Sequence, residues 1–430
     1  MTSFFIFRLD LRLKDNIALI ECFKKSDKIY LAFIFDPVQI DSVENKYFSH
    51  NCVQFMIESL RELYKKSDKK LLFFYGSTKD VIKDTINNLN IDNVYVNRDY
   101  TPFSIERDTK IEKLCKTLKC NFYSYDDLML TPISKIMKPD KTPYSTFTPY
   151  LTQALKYKIK KPSATNIKTK VQLNSKVLKY LVPLQKLDEF YEFNKNINVN
   201  GGRSKALYIL KNIENQRYYD SKRSLCDYKS THLSAYIKFG CVSIREVYHT
   251  CANKLGKNSG LVKQLYWRDF YYNILYHFPE TYTKKRGLKS VYAKFPWSHD
   301  KIKFNKWCNG ETGFPIVDAS MKNLNETGYM PNRSRLIVAN FLTKILRIDW
   351  TWGERYFAQK LVDYSVSNNL GNWQWVASIG ADYQNRIYNP MSQSLKSDPE
   401  CKYIKKWLPV LENVPNKDVH NWYSKHEKYS

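Results

Sequence analysis

Residues 363–375 read Asp-Tyr-Ser-Val-Ser-Asn-Asn-Leu-Gly-Asn-Trp-Gln-Trp. Three Asn, two Ser, one Asp and one Gly stand beside two Trp. Large apolar rings among amides and hydroxyls suit a flat, partly polar ligand gripped by hydrogen bonds. The same composition also suits an Asx-rich turn capping a helix that carries buried Trp. The chain on either side decides between them.

All nine Trp lie at or beyond Trp267, and only Gly76 of the 13 Gly precedes residue 201. A uniform fold does not usually segregate residues this way. Two domains are therefore expected, over 1–130 and 201–430, with a connector over 131–200. From Gly201 onward apolar residues recur at helical spacing over 233–238, 261–276, 316–324 and 334–346. Turn signals such as Pro331-Asn332 and Gly371-Asn372 separate them, so this half reads as all α. Before residue 130, β-branched and aromatic runs at 4–7, 28–36, 70–75, 94–96 and 122–125 alternate with amphipathic stretches such as 52–65 and 78–88. That alternation predicts βαβ units and a parallel sheet covered on both faces. No G-x-G-x-x-G follows any of these strands, which argues against a dinucleotide held there in the usual manner.

Hydrophobic residues make up 43% of the 430, enough for a sizeable core, and aromatics reach 15%. Lys and Arg number 69 against 42 Asp and Glu, a formal charge of +27. Such a field attracts polyanions, nucleic acid first and anionic membrane second, although a generally Lys-rich composition gives the same count. Between Lys156 and Lys179 there are eight Lys and no acid. That run suits a solvated face, or an addition to a phosphate-tracking surface. The nine Cys include no C-x-x-C pair, so no metal site is expected, and their scatter suits reduced thiols inside a cell. The N-terminus enters a strand-like run directly and no apolar stretch approaches the roughly 18 residues of a membrane span. A soluble intracellular protein is expected.

Four groups of residues carry candidate chemistry. Ser230-Thr231-His232-Leu233-Ser234 opens a helix, where hydroxyls and free N–H groups make an anion site, or an ordinary N-cap. Tyr219 and Arg223 upstream add a hydroxyl and a charge. Gln264, Trp267, Arg268 and Tyr271 recur about one turn apart and present an amide, an indole and a guanidinium on one helix face. A buried aromatic stripe has the same spacing, while aromatics with Arg on a basic surface suit stacking on an extruded base. Asn332, Arg333 and Arg335 begin another helix, suited to a phosphate or a base edge, or to a plain Pro-Asn turn with solvated Arg. Trp307, Trp350 and Trp373 fall in three different helices or turns. A file of indoles from a buried redox centre to the surface passes an electron hole, although a lone Trp more often fills core. Trp307 opens Trp-Cys-Asn-Gly-Glu-Thr-Gly-Phe-Pro, which reads as a surface turn.

Together these stretches resemble the cryptochrome/photolyase family nearly end to end. Phe7-Arg8-Leu9-Asp10-Leu11-Arg12-Leu13-Lys14-Asp15-Asn16 looks like the family's opening motif. Asn97-Arg98-Asp99-Tyr100-Thr101-Pro102, residues 142–149, the Trp267 helix and residues 310–318 also match, as do Ile348-Asp349-Trp350, Gly353-Glu354-Arg355-Tyr356-Phe357 and Asn372-Trp373-Gln374-Trp375. The likeness is greatest to class I cyclobutane-dimer photolyases of archaeal type. It implies an α/β Rossmann-like N-terminal domain and an all-α C-terminal domain gripping FAD. It assigns Tyr219 and Ser230 to Ser234 (Thr231, His232 and Leu233 between them) to the FAD phosphates. Arg268 and Ser365 also fall to the cofactor, Asp363 paired with Arg335 lies near the flavin, and Asn369 faces flavin N5. Trp373, Trp350 and Trp307 become the electron-transfer triad, in that order outward. Arg223, Gln264, Trp267, Tyr271, Asn332, Arg333 and Gln393 become DNA- or lesion-contacting residues.

The implied activity is light-driven DNA repair, a carbon–carbon lyase reaction. Excited FADH⁻ donates an electron to a flipped pyrimidine dimer, the cyclobutane ring opens and the electron returns. The implied partner is double-stranded DNA carrying UV lesions, bound by a monomer wherever the DNA is, without a membrane. A second, antenna chromophore would be a flavin, a folate or a deazaflavin. Two departures matter. Gln264 stands where class I enzymes usually carry Glu, as in (6-4) photolyases and animal cryptochromes, and an amide cannot supply a proton or a charge. The His pair those (6-4) enzymes need is matched here by Asn332 and Leu336. Ser365 stands where an Asp is common. The alternatives are thus a (6-4) photolyase or a blue-light receptor; the match runs nearly to Ser430, leaving no signalling tail to expect.

Overall fold

The computed structural model describes residues 1–163, 168–174, 176–283, 287–288, 295–382 and 385–428. Part of the Lys-rich run, at 164–167 and 175, lies outside the described residues. Five strands, β1 Thr2–Phe7, β2 Lys28–Phe35, β3 Leu71–Tyr75, β4 Asn93–Asn97 and β5 Asn121–Tyr125, fall where the β-branched runs predict them. They form one parallel sheet in the order β3-β2-β1-β4-β5. Successive side chains of a strand point to opposite faces. Phe5, Phe7, Leu31 and Tyr95 therefore join one core with α1 Ile17–Lys25 and α2 His50–Lys66. Phe4, Ile6, Ala32 and Val94 join another with α3 Thr78–Leu89 and α4 Pro102–Thr117. Side-chain caps start three of these helices: Asn16 accepts from Leu19 N, Ser49 from Cys52 N and Thr101 from Ser104 N. Chain direction around the sheet reverses between β1 and β4, and a crevice opens at their carboxyl ends.

The 131–200 stretch contributes α5 Phe147–Ala154, whose Phe147 lies flat on Trp267 with ring centroids 3.5 Å apart. Beyond residue 200 the described elements are helical: α6 Arg203–Lys211, α7 Leu233–Lys238, α8 Ile244–Leu255, α9 Gly260–His277, α10 Lys301–Asn309, α11 Pro315–Thr327, α12 Asn332–Asn340, α13 Trp350–Lys360, α14 Val366–Val376 and α15 Pro390–Ser397. Gly310 and Gly328 end α10 and α11 at φ +67° and +66°, a conformation in which glycine has no Cβ penalty. The helix expected over 334–346 passes at Phe341–Ile345 into a π-turn.

The halves share a core. Tyr236, Phe239, Val262, Leu265 and Phe270 join the same cluster as Phe5 and Phe7. A buried ionic network crosses the seam: Arg245 of α8 donates to Asp15 at 2.9 Å and to Asp127 at 2.7 Å, and Arg12 pairs with the same Asp127. A second core gathers Trp307, Trp350 and Trp373.

Candidate active site

Helix α9 forms the central wall. Asp269 is fully buried at its middle and accepts from Leu130 N at 2.7 Å and from Arg268 at 2.9 Å. Burial pushes its carboxyl up to about 6, against the pull of Arg268. Arg268 spends one Nη on Asp269, lies over the Tyr272 ring at 4.9 Å, and keeps Nη2 buried with no partner. One turn back, Gln264 is half-buried and makes no hydrogen bond among the described residues. Trp267 is half-buried with Phe147 flat against one face of its indole. Tyr271 departs from the expected DNA-facing role. It is 5% exposed, because its ring seats on Gly371, where any added Cβ would collide with it. It backs the wall instead of facing solvent.

Opposite α9 stands the stretch at 363–375. Its first residue, Asp363, is held by Arg335 Nη2 at 3.0 and 3.1 Å. Burial alone would raise this carboxyl, but Arg335 and the Ser234 hydroxyl outweigh it and hold Asp363 below the usual carboxylate range. Arg335 also lies over Tyr329, which packs on the His232 ring at 4.5 Å. His232 sits at the start of α7 in the left-handed region, φ +53°, and takes a hydrogen bond from Asn198 at 3.0 Å. Thr231 Oγ1 accepts from Leu233 N at 3.2 Å, so part of this cluster is a helix cap. Ser230 is half-buried and Ser234 exposed. Tyr219 begins a short helix and packs near Tyr228, while Arg223 points to solvent. Ser365 lies 3.4 Å from Tyr272 OH and receives the Asn368 amide at 3.2 Å. Asn369 Nδ2 donates to the Glu354 backbone oxygen at 3.0 Å and to its Oε1 at 3.2 Å. Contacts thus link Ser234, Arg335 and Asp363 in one group, and Arg268, Tyr272 and Ser365 in another, with Asn369 N on Ser365 O. Sequence reading missed Tyr329, Tyr272 and Asn198, whose side chains touch these groups or His232.

Toward the outside, Asn332 at the start of α12 is exposed, Arg333 donates to Ser224 Oγ at 3.2 Å and Gln393 on α15 is half-buried. Leu336 is half-buried on the same helix as Asn332.

The indoles do not lie as expected. Trp373 and Trp350 are buried, at 2% exposure each, but Trp307 is fully buried at 0% and donates from Nε1 to Val338 O at 3.0 Å. Trp307 belongs to the last turn of α10 and faces core; the surface turn begins only at Gly310. Its ring lies 6.3 Å from that of Trp373. Trp297 packs against the same core. It is half-buried and precedes Ser298, which pairs with Ile348 and accepts from Asp349 N at 3.1 Å. Trp307 as surface terminus of the file is therefore corrected.

A second polar crevice lies at the sheet's switch point, lined by Arg8, Asp10, Asn97, Arg98 and Asp99. Asp10 is buried and takes Arg8 N at 2.6 Å, Asn97 Nδ2 at 2.5 Å and Asn16 Nδ2 at 3.1 Å. Burial holds its carboxyl above the usual range despite these donors.

Along α9 and the 363–375 stretch some polar side-chain atoms lack partners. Arg268 Nη2 and Ser367 Oγ are buried and unpaired, and Gln264 and Asn369 Oδ1 make no bond within the described chain. An orphaned buried donor or acceptor costs about 1–3 kcal/mol. These groups, flanked by aromatic walls, fit a large ligand with both flat and polar parts, as FAD has.

Comparison with known families agrees. Residues 3–168 match the family model described as DNA photolyase, and 261–430 match that of the FAD binding domain of DNA photolyase. The chain is 36% identical to a deoxyribodipyrimidine photo-lyase of Alkalihalophilus pseudofirmus, over 96% of this chain and 88% of that protein. It is 29% identical to a cryptochrome DASH of Synechocystis over the same shares. The crystal structure of an archaeal photolyase from Sulfolobus tokodaii with two FAD molecules superposes with TM-score 0.88 and 37% identity, covering 98% of this chain and 93% of that one. A parallel-sheet domain joined to a helical domain in this way is the fold shared by photolyases and cryptochromes. The chain belongs to the DNA photolyase/cryptochrome family.

Proposed function

We propose that the chain is a light-driven DNA-repair enzyme, a deoxyribodipyrimidine photo-lyase that splits cyclobutane pyrimidine dimers. The observation that carries this reading is on α9. Arg268, over Tyr272 with a buried, unpartnered Nη2, and Gln264 with Trp267, both half-buried, stand within two turns of one helix. A cofactor and an extruded base would therefore meet across a single wall. When bound in its reduced state, FAD supplies an electron to the lesion on absorbing light and recovers it after the cyclobutane ring opens.

The protein's own residues position the partners. Arg268, the Arg335–Asp363 pair and the hydroxyls at 230, 231 and 234 hold the cofactor. Trp267, braced by Phe147, offers a stacking face to a flipped pyrimidine, and Gln264 can both donate to and accept from its polar edge. Flipping costs a few kcal/mol and is cheapest at a damaged pair. Asn332, Arg333, Arg223 and Gln393 grip the strand around the lesion. The hole on Trp373 passes outward through Trp350 to Trp297 when oxidised cofactor is photoreduced. In the N-terminal crevice, a second chromophore (flavin, folate or deazaflavin) is held by Arg8, Asp10 and Asn97. We place the protein, as a monomer, wherever the cell keeps its DNA.

Asn332 and Leu336 carry no acid for a (6-4) lesion, which favours the cyclobutane dimer. The test is an absorption spectrum of the purified protein with repair assays on the two lesion types, in blue light and in darkness. A flavin spectrum with light-dependent loss of cyclobutane dimers is expected. Repair in darkness, or none in light with reduced flavin, refutes the enzyme; a flavin spectrum without repair of either lesion favours the blue-light receptor.

A further inference from the structure

Glu354 sits on α13 with 1% of its surface exposed. Its backbone oxygen accepts from Asn369 Nδ2 at 3.0 Å and its carboxylate Oε1 accepts from the same nitrogen at 3.2 Å. Both N–H groups of that amide are thereby spent on one residue. Asn369 Oδ1, by contrast, makes no hydrogen bond within the described chain, and the residue is partly exposed. A flipped amide would press its oxygen against the Glu354 backbone carbonyl, which can only accept, and against the carboxyl oxygen Oε1. Glu354 therefore decides which end of Asn369 is turned outward. The helix α14 fixes only the backbone, through Asn369 N to Ser365 O at 2.8 Å.

We propose that Glu354 is a positioning residue that holds Asn369 with its oxygen facing the cofactor, and so favours a flavin protonated at N5. This rests on the flavin reading above. Reducing oxidised flavin to its anionic reduced form takes up two electrons and one proton, and the proton sits on N5. The N5–H so formed donates to an amide oxygen. The bare N5 of oxidised flavin is an acceptor, and would face that oxygen lone pair to lone pair. A carboxylate acting only through its charge would do the reverse, because negative charge disfavours an anionic cofactor. The two roles predict opposite signs when the carboxylate is removed.

The experiment measures the midpoint potential of bound flavin in Glu354→Met and Glu354→Gln, each also on an Asn369→Ala background, with a thermal melt of every variant. Glu354→Met is expected to move the reduced-to-oxidised ratio about tenfold toward oxidised, roughly 30 mV for a two-electron couple. Glu354→Gln, which still accepts from Nδ2, should stay close to the parent. Glu354→Met should add nothing once Asn369 is Ala. A shift toward the reduced form, no shift, or a shift that persists without Asn369 overturns the proposal. If Glu354→Met melts too early to measure, the infrared carbonyl band of Asn369, identified by its loss in Asn369→Ala, decides in the parent protein. It should fall in frequency on flavin reduction, and a fixed band refutes the idea. A parent protein that retains no flavin fails before any potential is read, and that outcome refutes the flavin reading itself.

Discussion

On the proposed function, single indoles set the electron's path and single amides the lesion's fit. Trp373→Phe should slow photoreduction of oxidised flavin about tenfold or more, a barrier increase of ~1.4 kcal/mol, while sparing repair by enzyme reduced beforehand. Trp297→Phe should do the same and Trp307→Phe should not, as transient absorption would reveal. A loss confined to Trp307→Phe would restore it as the exit. Gln264→Glu should leave repair equal or better, measured as dimers split per photon, because the amide side chain makes no hydrogen bond among the described residues that the change would break. At this scale the sequence was a partial guide. Motif likeness paired Asp363 with Arg335, and the structure shows that pair, because each lies within a short, distinctive run. It misjudged Trp307 because a turn-rich nonapeptide hides that its first residue still faces core, and it passed over Trp297, whose neighbour Ser298 pairs with Ile348 far along the chain. Tyr271 was misread for a related reason: spacing gives a helix face, but only Gly371 shows what covers it.

Helices approach one another here through missing side chains. Gly353 on α13 admits the Trp373 ring, and Gly371 on α14 admits Tyr271; a Cβ at either would strike the ring. Neither ring can retreat, since both are buried. Gly353→Ala and Gly371→Ala should each cost about 1–3 kcal/mol in urea unfolding, the usual range for overpacking, and should loosen flavin retention as the cavity wall shifts. Unchanged stability in either would mean the ring has room elsewhere. Most of the elements themselves were legible. β-branched and aromatic runs located all five strands, and apolar spacing of three and four located the helices at 50–66, 78–89, 233–238, 260–277 and 315–327, each to within a few residues. The π-turn at Phe341–Ile345 was not legible. Nothing in its composition differs from ordinary helix; packing of a neighbouring core decides it.

Across the whole molecule, charge does two jobs. Inside, Asp127 is buried between Arg12 and Arg245; burial would raise its carboxyl, yet the two guanidinium groups hold it below the usual range. A depressed carboxyl contributes stability above its unfolded value near 3.9 and loses it as pH falls toward the folded value. Arg245→Met should cost about 3–5 kcal/mol near neutrality, as for other broken buried pairs. Its deficit against the parent should shrink as pH falls below about 4; a deficit that grows would reverse the assignment. Outside, the excess of 27 positive charges should make binding to dimer-containing DNA fall roughly a thousandfold or more between about 50 and 200 mM salt, as for proteins that cover several phosphates. A flat salt curve would deny a phosphate-led grip. No helix of the described residues is long and apolar enough to cross a membrane. Helix α9 draws these scales together. Its buried Asp269 is fastened to the N-terminal half at Leu130, its Arg268 lies over Tyr272, and its Gln264 and Trp267 are half-buried. On the proposed function, a single rod serves as a common axle for chromophore seat, cofactor and substrate. Retuning the choice of lesion has only the outward spokes to work with, since a change nearer the hub would disturb every other bearing at once.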